Sequence, residues 1–425
     1  MCIRDSIYLY DVASGRTSNL TEGMPGYDKY PVFSPDDSMI AFTSMERPGN
    51  ESDKDRLFVM SLADGSKRYL TEGFDYNAGN VRWADDSTLL FLSPIRATIQ
   101  LCSVSLSGGP VRVITSGAHD LNAFSAAGGR VVAEMTTLGS PTELFDVNPS
   151  DGAMTRITNT NAEIYERIRM GKVEERWVET TDGKRMLVWV VLPPDFDPSK
   201  KYPALLYCQG GPQSVVSQFW SYRWNLQLMA AQGYVVVAPN RRGLPSFGQE
   251  WLDQISGDYS GQNIRDYLSA IDDVSAEPWV DRDRLGCVGA SYGGYSVFFL
   301  AGNHQKRFKA FIAHCGMFNF ESMYGATEEL WFPNNDLGGP YWSDSPVARR
   351  SYANSPHKFV KNWDTPILIF SGQRDFRIPY TESLQAFTAA RLMGVPSRLV
   401  SFEDEAHQVF KPQNSLVWNR EFFSW

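Results

Sequence analysis

The sequence predicts a chain of two parts: an all-β partial β-propeller over residues 7–172, then a doubly wound α/β unit with a mostly parallel sheet over residues 173–425. Three observations predict this arrangement. A strand–turn–strand pattern recurs in the first part. Strand-like apolar runs alternate with helical stretches in the second part. A Gly-x-Ser-x-Gly pentapeptide stands in the second part, between a predicted strand and a predicted helix.

Composition limits the classes of function that remain open. The chain has 425 residues, enough for two or three domains at ~150 residues per domain. Its formal net charge of −9 predicts no nucleic-acid partner, because nothing would neutralise the phosphates. Apolar runs stay far below the ~20 residues of a membrane-spanning helix, so no membrane span is expected. Five widely spaced cysteines without a CxxC pair predict neither a disulfide scaffold nor a zinc site, and we expect no metal.

The first part of the chain repeats. Four segments each carry a short strand, a turn and a second strand that ends in an aliphatic–threonine pair. Successive pairs are 50, 44 and 43 residues apart, a period typical of four-stranded propeller blades. An irregular β-sandwich is the alternative, and it is disfavoured because sandwiches lack a fixed period. The pairs are Leu20-Thr21, Leu70-Thr71, Ile114-Thr115 and Ile157-Thr158.

The sequence carries signs of interruption at both ends. Residues 1–6 (MCIRDS) resemble the translation of a sequencing adapter and are set aside as a suspected artefact. About three to four repeats are present, whereas closed propellers have about 4–8 blades. Residues 415–425 predict an amphipathic helix without a terminal cap. We therefore expect an N-terminally truncated fragment of a longer protein, and the alternative is a genuinely short protein.

The second part alternates strand-like and helical segments from about Val173 onward. Its apolar runs are nearly continuous, which predicts a parallel sheet covered by helices on both faces. In such sheets the ligand site lies beyond the carboxyl ends of the strands, so residues that follow strands are the candidates for chemistry. The runs begin at Met186, Tyr202, Tyr234, Leu285, Phe308, Pro366 and Ser397.

Residues 289–293 (GASYG) form the motif of a nucleophilic serine. An apolar run at residues 285–288 precedes the motif and a helix-like run at residues 295–301 follows it. This strand–turn–helix setting holds a serine on a strained turn with its hydroxyl exposed. We predict that Ser291 is the nucleophile, and a purely structural loop is the alternative.

A serine nucleophile needs a general base, and His407 is the predicted base. In hydrolases with this motif the order along the chain is serine, acid, histidine, and His407 follows the last predicted strand. The other four histidines fit the role of general base less well. Their predicted positions are a surface loop for His119, a solvated turn for His304, the core or a strand end for His314, and a loop for His357.

The predicted acid is Asp375, which directly follows the penultimate strand. Acidic residues 403–405 are too close in sequence to His407 to reach behind its ring. Three other aspartates precede the penultimate strand, and their pattern predicts loop solvation or turn capping. These are Asp336, Asp344 and Asp364.

A glycine-rich segment after the second strand is the candidate for binding a developing oxyanion. Gly210 and Gly211 would let the backbone approach a substrate carbonyl, and the backbone N–H of Tyr292 would be the second donor. The alternative is that Gly210 and Gly211 only form an ordinary turn. Cys208 and Cys287 lie on predicted buried strands and are interpreted as small core residues. No segment has dinucleotide or P-loop spacing, so no cofactor is expected.

The repeats together with GASYGGY, GQRD and DEAH resemble the prolyl oligopeptidase family of serine peptidases, and the similarity covers nearly all of the chain. The segments QGGPQS, VVAPNRRG and WFPNNDLGGP make it most similar to the dipeptidyl-peptidase 5 and acylaminoacyl-peptidase branch of Bacteroidetes type. The resemblance implies an α/β-hydrolase domain in which Ser291 is acylated, His407 carries the proton and Asp375 orients it. It also implies that the Gly211 and Tyr292 N–H groups hold the oxyanion.

The resemblance implies an exopeptidase that acts on short peptides and releases dipeptides after alanine or hydrophobic residues. An acylaminoacyl-peptidase or a carboxylesterase with the same triad is the alternative, and a propeller binding module with a silent hydrolase domain is a third. A bacterial periplasmic or secreted location is implied, and a homodimer is left open. One position departs from the family: its usual histidine before Gly-Gly-Pro is Gln209 here.

Overall fold

The computed structural model describes residues 5–425, so the first four residues of the suspected artefact lie outside the described residues. The chain divides into two compact units. Two short stretches from the second half of the sequence belong to unit 1. Unit 1 comprises the chain up to Arg167, Ser217–Trp220 and Pro245–Asp253, and unit 2 comprises Ile168–Val216, Ser221–Leu244 and Gln254–Trp425.

Unit 1 is built from short antiparallel strands. A two-stranded sheet comes first, a four-stranded sheet follows, and the remaining strands form one eight-stranded sheet. The strands are Tyr8–Asp11, Arg16–Asn19, Asp28–Phe33, Met39–Ser44, Arg56–Ser61, Lys67–Tyr69, Gly79–Asp85, Thr88–Ile95, Thr98–Ser105, Arg112–Val113, Asp120–Ala127, Arg130–Thr137, Ser140–Val147 and Met154–Arg156, labelled β1 to β14.

Sets of four consecutive strands recur in this unit, and the propeller-like sheet architecture agrees with the sequence. Strands β3 to β6 pair in chain order. Strands β7 to β10 and β11 to β14 do the same, but one parallel pair, Asp120 with Ile99, joins the two sets. The sequence predicts separate blades, whereas the hydrogen bonding unites two of the predicted blades in one sheet. The two sets are joined because the first residue of β11 pairs with β9.

Each aliphatic–threonine pair closes its repeat by the same two hydrogen bonds. The threonine hydroxyl accepts the backbone N–H of the residue 14 positions earlier, at 2.9, 3.0, 2.9 and 2.9 Å. The aliphatic residue donates its own N–H to the carbonyl of that earlier residue at 2.8 Å in all four repeats. The repeated sequence pattern therefore has a structural cause. The partners of Thr21, Thr71, Thr115 and Thr158 are Ile7, Leu57, Leu101 and Leu144.

Replacing Thr71 by valine should lower the free energy of unfolding by about 1–3 kcal/mol, because the Leu57 N–H would lose its acceptor in the core. Thr71 is only 1% exposed. The matched control is Thr71→Ser, which keeps the hydroxyl that accepts the Leu57 N–H. That variant should lose less than about 1 kcal/mol, because only a methyl group is removed. Urea denaturation measures both, and equal losses would contradict the role given to the threonine hydroxyl.

Residues 168–425 supply eight strands and most of the helices. The strands are Val173–Glu179, Arg185–Val191, Tyr202–Cys208, Val235–Pro239, Val280–Ala290, Ala310–His314, Ile367–Gly372 and Ser397–Phe402, labelled β15 to β22. With Ala162–Tyr165 as α1, the helices α2 to α10 are Leu226–Ala231, Gln249–Asp253, Gln262–Ser275, Tyr292–Asn303, Phe320–Ala326, Trp331–Asp336, Pro346–Ala353, Tyr380–Leu392 and Pro412–Ser424. A 3₁₀ helix covers Pro356–Asn362, and α3 belongs to unit 1.

The sheet of unit 2 is the doubly wound, mostly parallel sheet that the sequence predicts. Its order is β15-β16-β18-β17-β19-β20-β21-β22. The first two strands are antiparallel to their neighbours, and all pairs from β18 onward are parallel. Apart from the charged residues 281–284 at the start of β19, the central strands are largely apolar, as expected of a parallel sheet with helices on both faces. Within residues 5–425 no helix has the length and apolar character that crossing a bilayer requires.

Candidate active site

Ser291 lies at the turn between β19 and α5, as the sequence predicts. Its backbone angles are φ 59° and ψ −121°, a conformation that residues with a side chain seldom adopt. The Ser291 N–H donates to the carbonyl O of His314 at 2.9 Å and so fixes the turn to β20. The turn therefore holds the hydroxyl beyond the carboxyl end of the central strand.

The glycine that ends the pentapeptide allows the close packing of this turn. A Cβ atom at Gly293 would lie 2.0 Å from the carbonyl O of Cys208 at the end of β17. That carbonyl belongs to the backbone and cannot move aside without displacing the strand. A residue without a side chain is therefore required for α5 to start against β17.

The structure brings Ser291, His407 and Asp375 together in one hydrogen-bonded chain. The Ser291 hydroxyl lies 2.9 Å from Nε2 of His407, and Nδ1 of His407 lies 2.7 Å from Oδ2 of Asp375. With Nδ1 protonated toward the carboxylate, Nε2 is free to accept the hydroxyl proton. The other carboxylate oxygen of Asp375 accepts the N–H groups of Arg377 at 3.0 Å and Ile378 at 2.9 Å.

The surroundings of His407 favour its charged form. Its side chain is 15% exposed, and the Asp375 side chain is fully buried. Burial lowers the pKa of His407, but the Cys315 sulfur and the Asp375 carboxylate outweigh burial and raise that pKa above 6.5. The imidazolium that forms after proton transfer would thus be stabilised in place.

Two acidic residues just before His407 bind the loop that follows it. Glu405 accepts the backbone N–H groups of Phe410 at 3.2 Å and Lys411 at 2.9 Å. The Asp404 carboxylate binds the Lys411 ammonium at 2.5 Å. The carboxylates of Asp404 and Glu405 thus form hydrogen bonds within the loop, whereas the Asp375 carboxylate forms the hydrogen bond to the His407 ring.

The glycine-rich loop after β17 runs against the nucleophile. A Cβ atom at Gly210 would lie 3.6 Å from the Ser291 Cβ atom. Gly211 has φ +114°, which side-chain-bearing residues rarely adopt. Tyr292 is the first residue of α5, so its N–H has no acceptor within the helix. Both predicted oxyanion donors therefore belong to segments that adjoin the Ser291 hydroxyl.

Gln209, the departure from the family pattern, fixes this loop through its side chain. The Tyr207 hydroxyl donates to Oε1 of Gln209 at 2.7 Å. Nε2 of Gln209 donates to the Ser214 hydroxyl at 3.1 Å. The amide therefore uses both ends of its side chain within the loop, and the backbone N–H groups of Gly210 and Gly211 are unaffected by the change of residue.

Arg241 lies beside the candidate site and was not among the residues predicted from the sequence. It is fully buried, and its guanidinium carbon lies 4.6 Å from the centroid of the Tyr292 ring. The guanidinium donates to the carbonyl O of Pro212 at 3.1 Å and to the Tyr267 hydroxyl at 3.0 Å. Arg241 thus contacts both segments that carry the predicted oxyanion donors. The available signal was the pair of arginines, 241 and 242, that follows the buried strand β18.

Three histidines differ from their predicted positions, and one of them, His357, lies in the 3₁₀ helix and not in a loop. His119 and His304 are buried, at 4% and 3% exposure, not solvated. Burial lowers the pKa of each to about 4. His304 Nδ1 accepts the Phe308 N–H at 3.1 Å, which explains why it sits inside the fold. His314 lies in the core as predicted, and burial lowers its pKa to about 3.

Asp336 also departs from its prediction, because it is buried and not a solvated loop residue. Its carboxylate accepts the hydroxyl of Tyr259 at 2.6 Å, the hydroxyl of Ser256 at 2.8 Å and the side-chain N–H of Gln213 at 3.1 Å. Burial raises the pKa of Asp336. The carboxylate supports the loop after Gly211 through Gln213. Cys208 and Cys287 are buried core residues, as predicted.

Residues 220–425 match the family model described as the prolyl oligopeptidase family. The chain is 55% identical over 421 residues to dipeptidyl-peptidase 5 of Porphyromonas gingivalis, covering 99% of this chain and 62% of that protein. It is 50% identical over 421 residues to dipeptidyl-peptidase 5 of Porphyromonas endodontalis, covering 99% and 61%. The chain therefore spans about three fifths of the length of these curated relatives.

Solved structures with the same fold support the architecture. Acylaminoacyl peptidase of Pyrococcus horikoshii matches with a TM-score of 0.87 at 23% identity, over 99% of this chain and 65% of that one. Dipeptidyl peptidase 4 of Porphyromonas gingivalis matches with a TM-score of 0.67 at 19% identity, over 99% and 66%. The fold is thus an α/β-hydrolase with a propeller-like sheet domain.

Proposed function

We propose that the chain is a member of the prolyl oligopeptidase family, whose model residues 220–425 match, and that it is a serine exopeptidase which releases dipeptides from short peptides. The observation that carries the proposal is the chain of hydrogen bonds from Asp375 through His407 to Ser291, at 2.7 and 2.9 Å. The relatives named dipeptidyl-peptidase 5, at 55% and 50% identity, support the exopeptidase class.

The proposed reaction is acyl transfer through an enzyme ester. His407 Nε2 removes the hydroxyl proton while Ser291 Oγ attacks the scissile carbonyl carbon. The carbonyl π electrons move to oxygen, and the N–H groups of Gly211 and Tyr292 bind that oxyanion. When the intermediate collapses, the C–N bond breaks and His407 gives its proton to the leaving amine. Water then attacks the ester by the same steps, which frees the dipeptide and restores Ser291.

Arg241 is proposed as a positioning residue for the oxyanion donors. Replacing it by methionine should lower kcat about 100-fold with little change in KM, because small displacements of preorganised donors weaken transition-state binding more than substrate binding. The matched control is Arg242→Met, another fully buried arginine, which pairs with Asp182 and Asp266. The control should lower the unfolding temperature but keep kcat per folded molecule within about twofold. Equal kcat losses in both would contradict the assigned role.

The pH dependence should follow the protonation of His407. A protonated imidazole cannot accept the serine proton, so kcat/KM should be low in acid and rise as His407 loses its proton. Because the pKa of His407 is raised above 6.5, the midpoint of the acid limb should lie on the alkaline side of that value. Initial rates from mildly acidic to alkaline pH measure the midpoint. An acid limb centred below 6.5 would show that another group controls the rate.

Residues 7–172 are proposed to form about three to four blades of a partial β-propeller, with residues 173–425 as the catalytic domain. The recurring four-stranded sets and the threonine closures support this assignment. Limited trypsin digestion should cut first at Arg167, Arg169 or Lys172, which are not buried in strands. First cuts inside a four-stranded set would contradict the boundary.

A comparison of two aminocoumarin substrates tests the proposed specificity. One is a dipeptide with a free amine and alanine as its second residue, and the other is acetyl-alanine. The proposal expects cleavage of the free-amine dipeptide, no cleavage of the acetylated substrate, and neither reaction in Ser291→Ala. Cleavage of only the acetylated substrate would make the protein an acylaminoacyl-peptidase. A simple ester is tested beside these two substrates, and cleavage of that ester alone would make the protein a carboxylesterase.

A further inference from the structure

Cys315 lies beside the proposed catalytic histidine without a part in the proposed reaction. Its sulfur is 3.9 Å from Nε2 of His407, and its thiol donates to the His407 carbonyl O at 3.3 Å. Cys315 directly follows β20 and is 2% exposed. Within the described range 5–425, Cys315, Asp375 and His407 are the single group of three acidic, histidine or cysteine ligands whose atoms lie within 4.8 Å of one another.

The distances around Nε2 suit a tetrahedral zinc ion. Zinc–sulfur bonds of about 2.3 Å and zinc–nitrogen bonds of about 2.0–2.1 Å separate the two ligand atoms by about 3.6 Å in a tetrahedron. The Cys315 sulfur and Nε2 are 3.9 Å apart, and Nε2 and the Ser291 oxygen are 2.9 Å apart. Side-chain shifts of about half an ångström would therefore bring the Cys315–Nε2 pair and the Ser291–Nε2 pair to the separations expected of two ligands of one ion. Thiolate and imidazole are also the ligand types that zinc prefers.

We propose that Zn²⁺ binds reversibly to Cys315 Sγ, His407 Nε2 and Ser291 Oγ, with water as the fourth ligand, and thereby blocks the nucleophile. Binding forms three metal–protein bonds and releases the thiol proton to solvent. It also replaces the hydrogen bond between Ser291 and His407. Asp375 keeps its hydrogen bond to Nδ1, the arrangement by which a carboxylate orients a metal-bound histidine.

Sequence spacing gave no indication of this site. The three ligands belong to separate turns, after β19, β20 and β22, and the fold alone brings them together. The other described cysteines differ from Cys315. The sulfur atoms of Cys208 and Cys287 face each other at 3.7 Å, and Cys102 lies in the core of unit 1. Substitution of Cys315 alone therefore removes the thiol of the proposed site and leaves the other described thiols in place.

Inhibition by Zn²⁺ provides the first test, and this readout rests on the proposed function. For each variant, the peptidase rate at each Zn²⁺ concentration is divided by the rate of the same variant without metal. Wild type and the control Cys102→Ala should be inhibited at the same Zn²⁺ concentration and recover with EDTA. Cys315→Ser should require at least about tenfold more Zn²⁺, since a ligand is lost. Equal sensitivity of Cys315→Ser and wild type would overturn the proposal, and Cys315→Ala serves if the serine variant fails to fold.

Cobalt spectroscopy on the full chain tests the site without any substrate. Co²⁺ should give a sulfur-to-cobalt charge-transfer band and the visible absorption of a tetrahedral ion in wild type and Cys102→Ala, with both signals absent in Cys315→Ser. The same spectrum in Cys315→Ser would overturn the site even if the peptidase proposal holds. The expected spectra in a chain that cleaves no peptide would support the metal site and contradict only the proposed function.

Discussion

The Ser291→Ala variant should lose about six orders of magnitude in kcat, to the limit of detection with aminocoumarin dipeptides. The reason is that the proposed route runs through an ester on the Ser291 oxygen, which lies 2.9 Å from its base. Binding and the oxyanion donors would remain, and in serine peptidases these alone support only slow hydrolysis of about 10³–10⁴ over water. KM, where measurable, should therefore change far less than kcat.

Ser296→Ala is the matched control for this loss. Ser296 lies in the same helix and is fully buried, and its hydroxyl donates to the Tyr292 carbonyl O at 3.0 Å, so it does not reach His407. The control should keep kcat within about threefold of wild type, because an intrahelical bond of this kind contributes little to the geometry of the turn. Residual activity of Ser291→Ala within tenfold of the control would mean that another residue is the nucleophile.

The Asp375→Asn variant should lose about 10⁴-fold in kcat with little change in KM. An asparagine side chain can donate to Nδ1 of His407, and that bond moves the ring proton to Nε2, where the Ser291 proton has to go. The carboxylate also supports the raised pKa of His407, so any residual activity should have its acid limb at lower pH than wild type.

Asp364→Asn is the corresponding control for the carboxylate. Asp364 pairs with the exposed Lys306 and bonds the Thr365 hydroxyl at 3.0 Å. Surface ion pairs contribute at most about 1 kcal/mol, so this variant should keep the kcat and the pH profile of wild type. A loss in Asp375→Asn that came with an unchanged acid limb would indicate that the carboxylate acts on stability alone.

The parts of the fold that the sequence predicts are those with local causes. The threonine closures repeat because each joins residues 14 positions apart, and the alternation of strands and helices follows from continuous apolar runs. Ser291, Asp375 and His407 could be assigned because the order along the chain and the strand ends identify them. Gly211 and Tyr292 followed from the same reasoning about strand ends.

The residues that the sequence analysis missed act through contacts distant in sequence. Arg241 and Asp336 are charged and buried, which composition alone predicts to be rare, and their partners come from other loops. His304 lies among charged neighbours, yet its own ring is turned inward to Phe308. The return of residues 217–220 and 245–253 to unit 1 has no periodic signal in the sequence either. Cys315 could be connected to His407 only once β20 and β22 were in the same sheet.

Covalent labelling tests directly whether Ser291 is the nucleophile of a serine peptidase. The chain is treated with a diphenyl phosphonate that carries a dipeptide-like free amine, digested and mapped by mass spectrometry. We expect one phosphonate adduct on Ser291, formed in Asp364→Asn as in wild type and strongly slowed in Asp375→Asn. An adduct on a different residue would rule out Ser291 as the nucleophile, and a folded chain that forms none would favour a propeller binding module with a silent hydrolase domain.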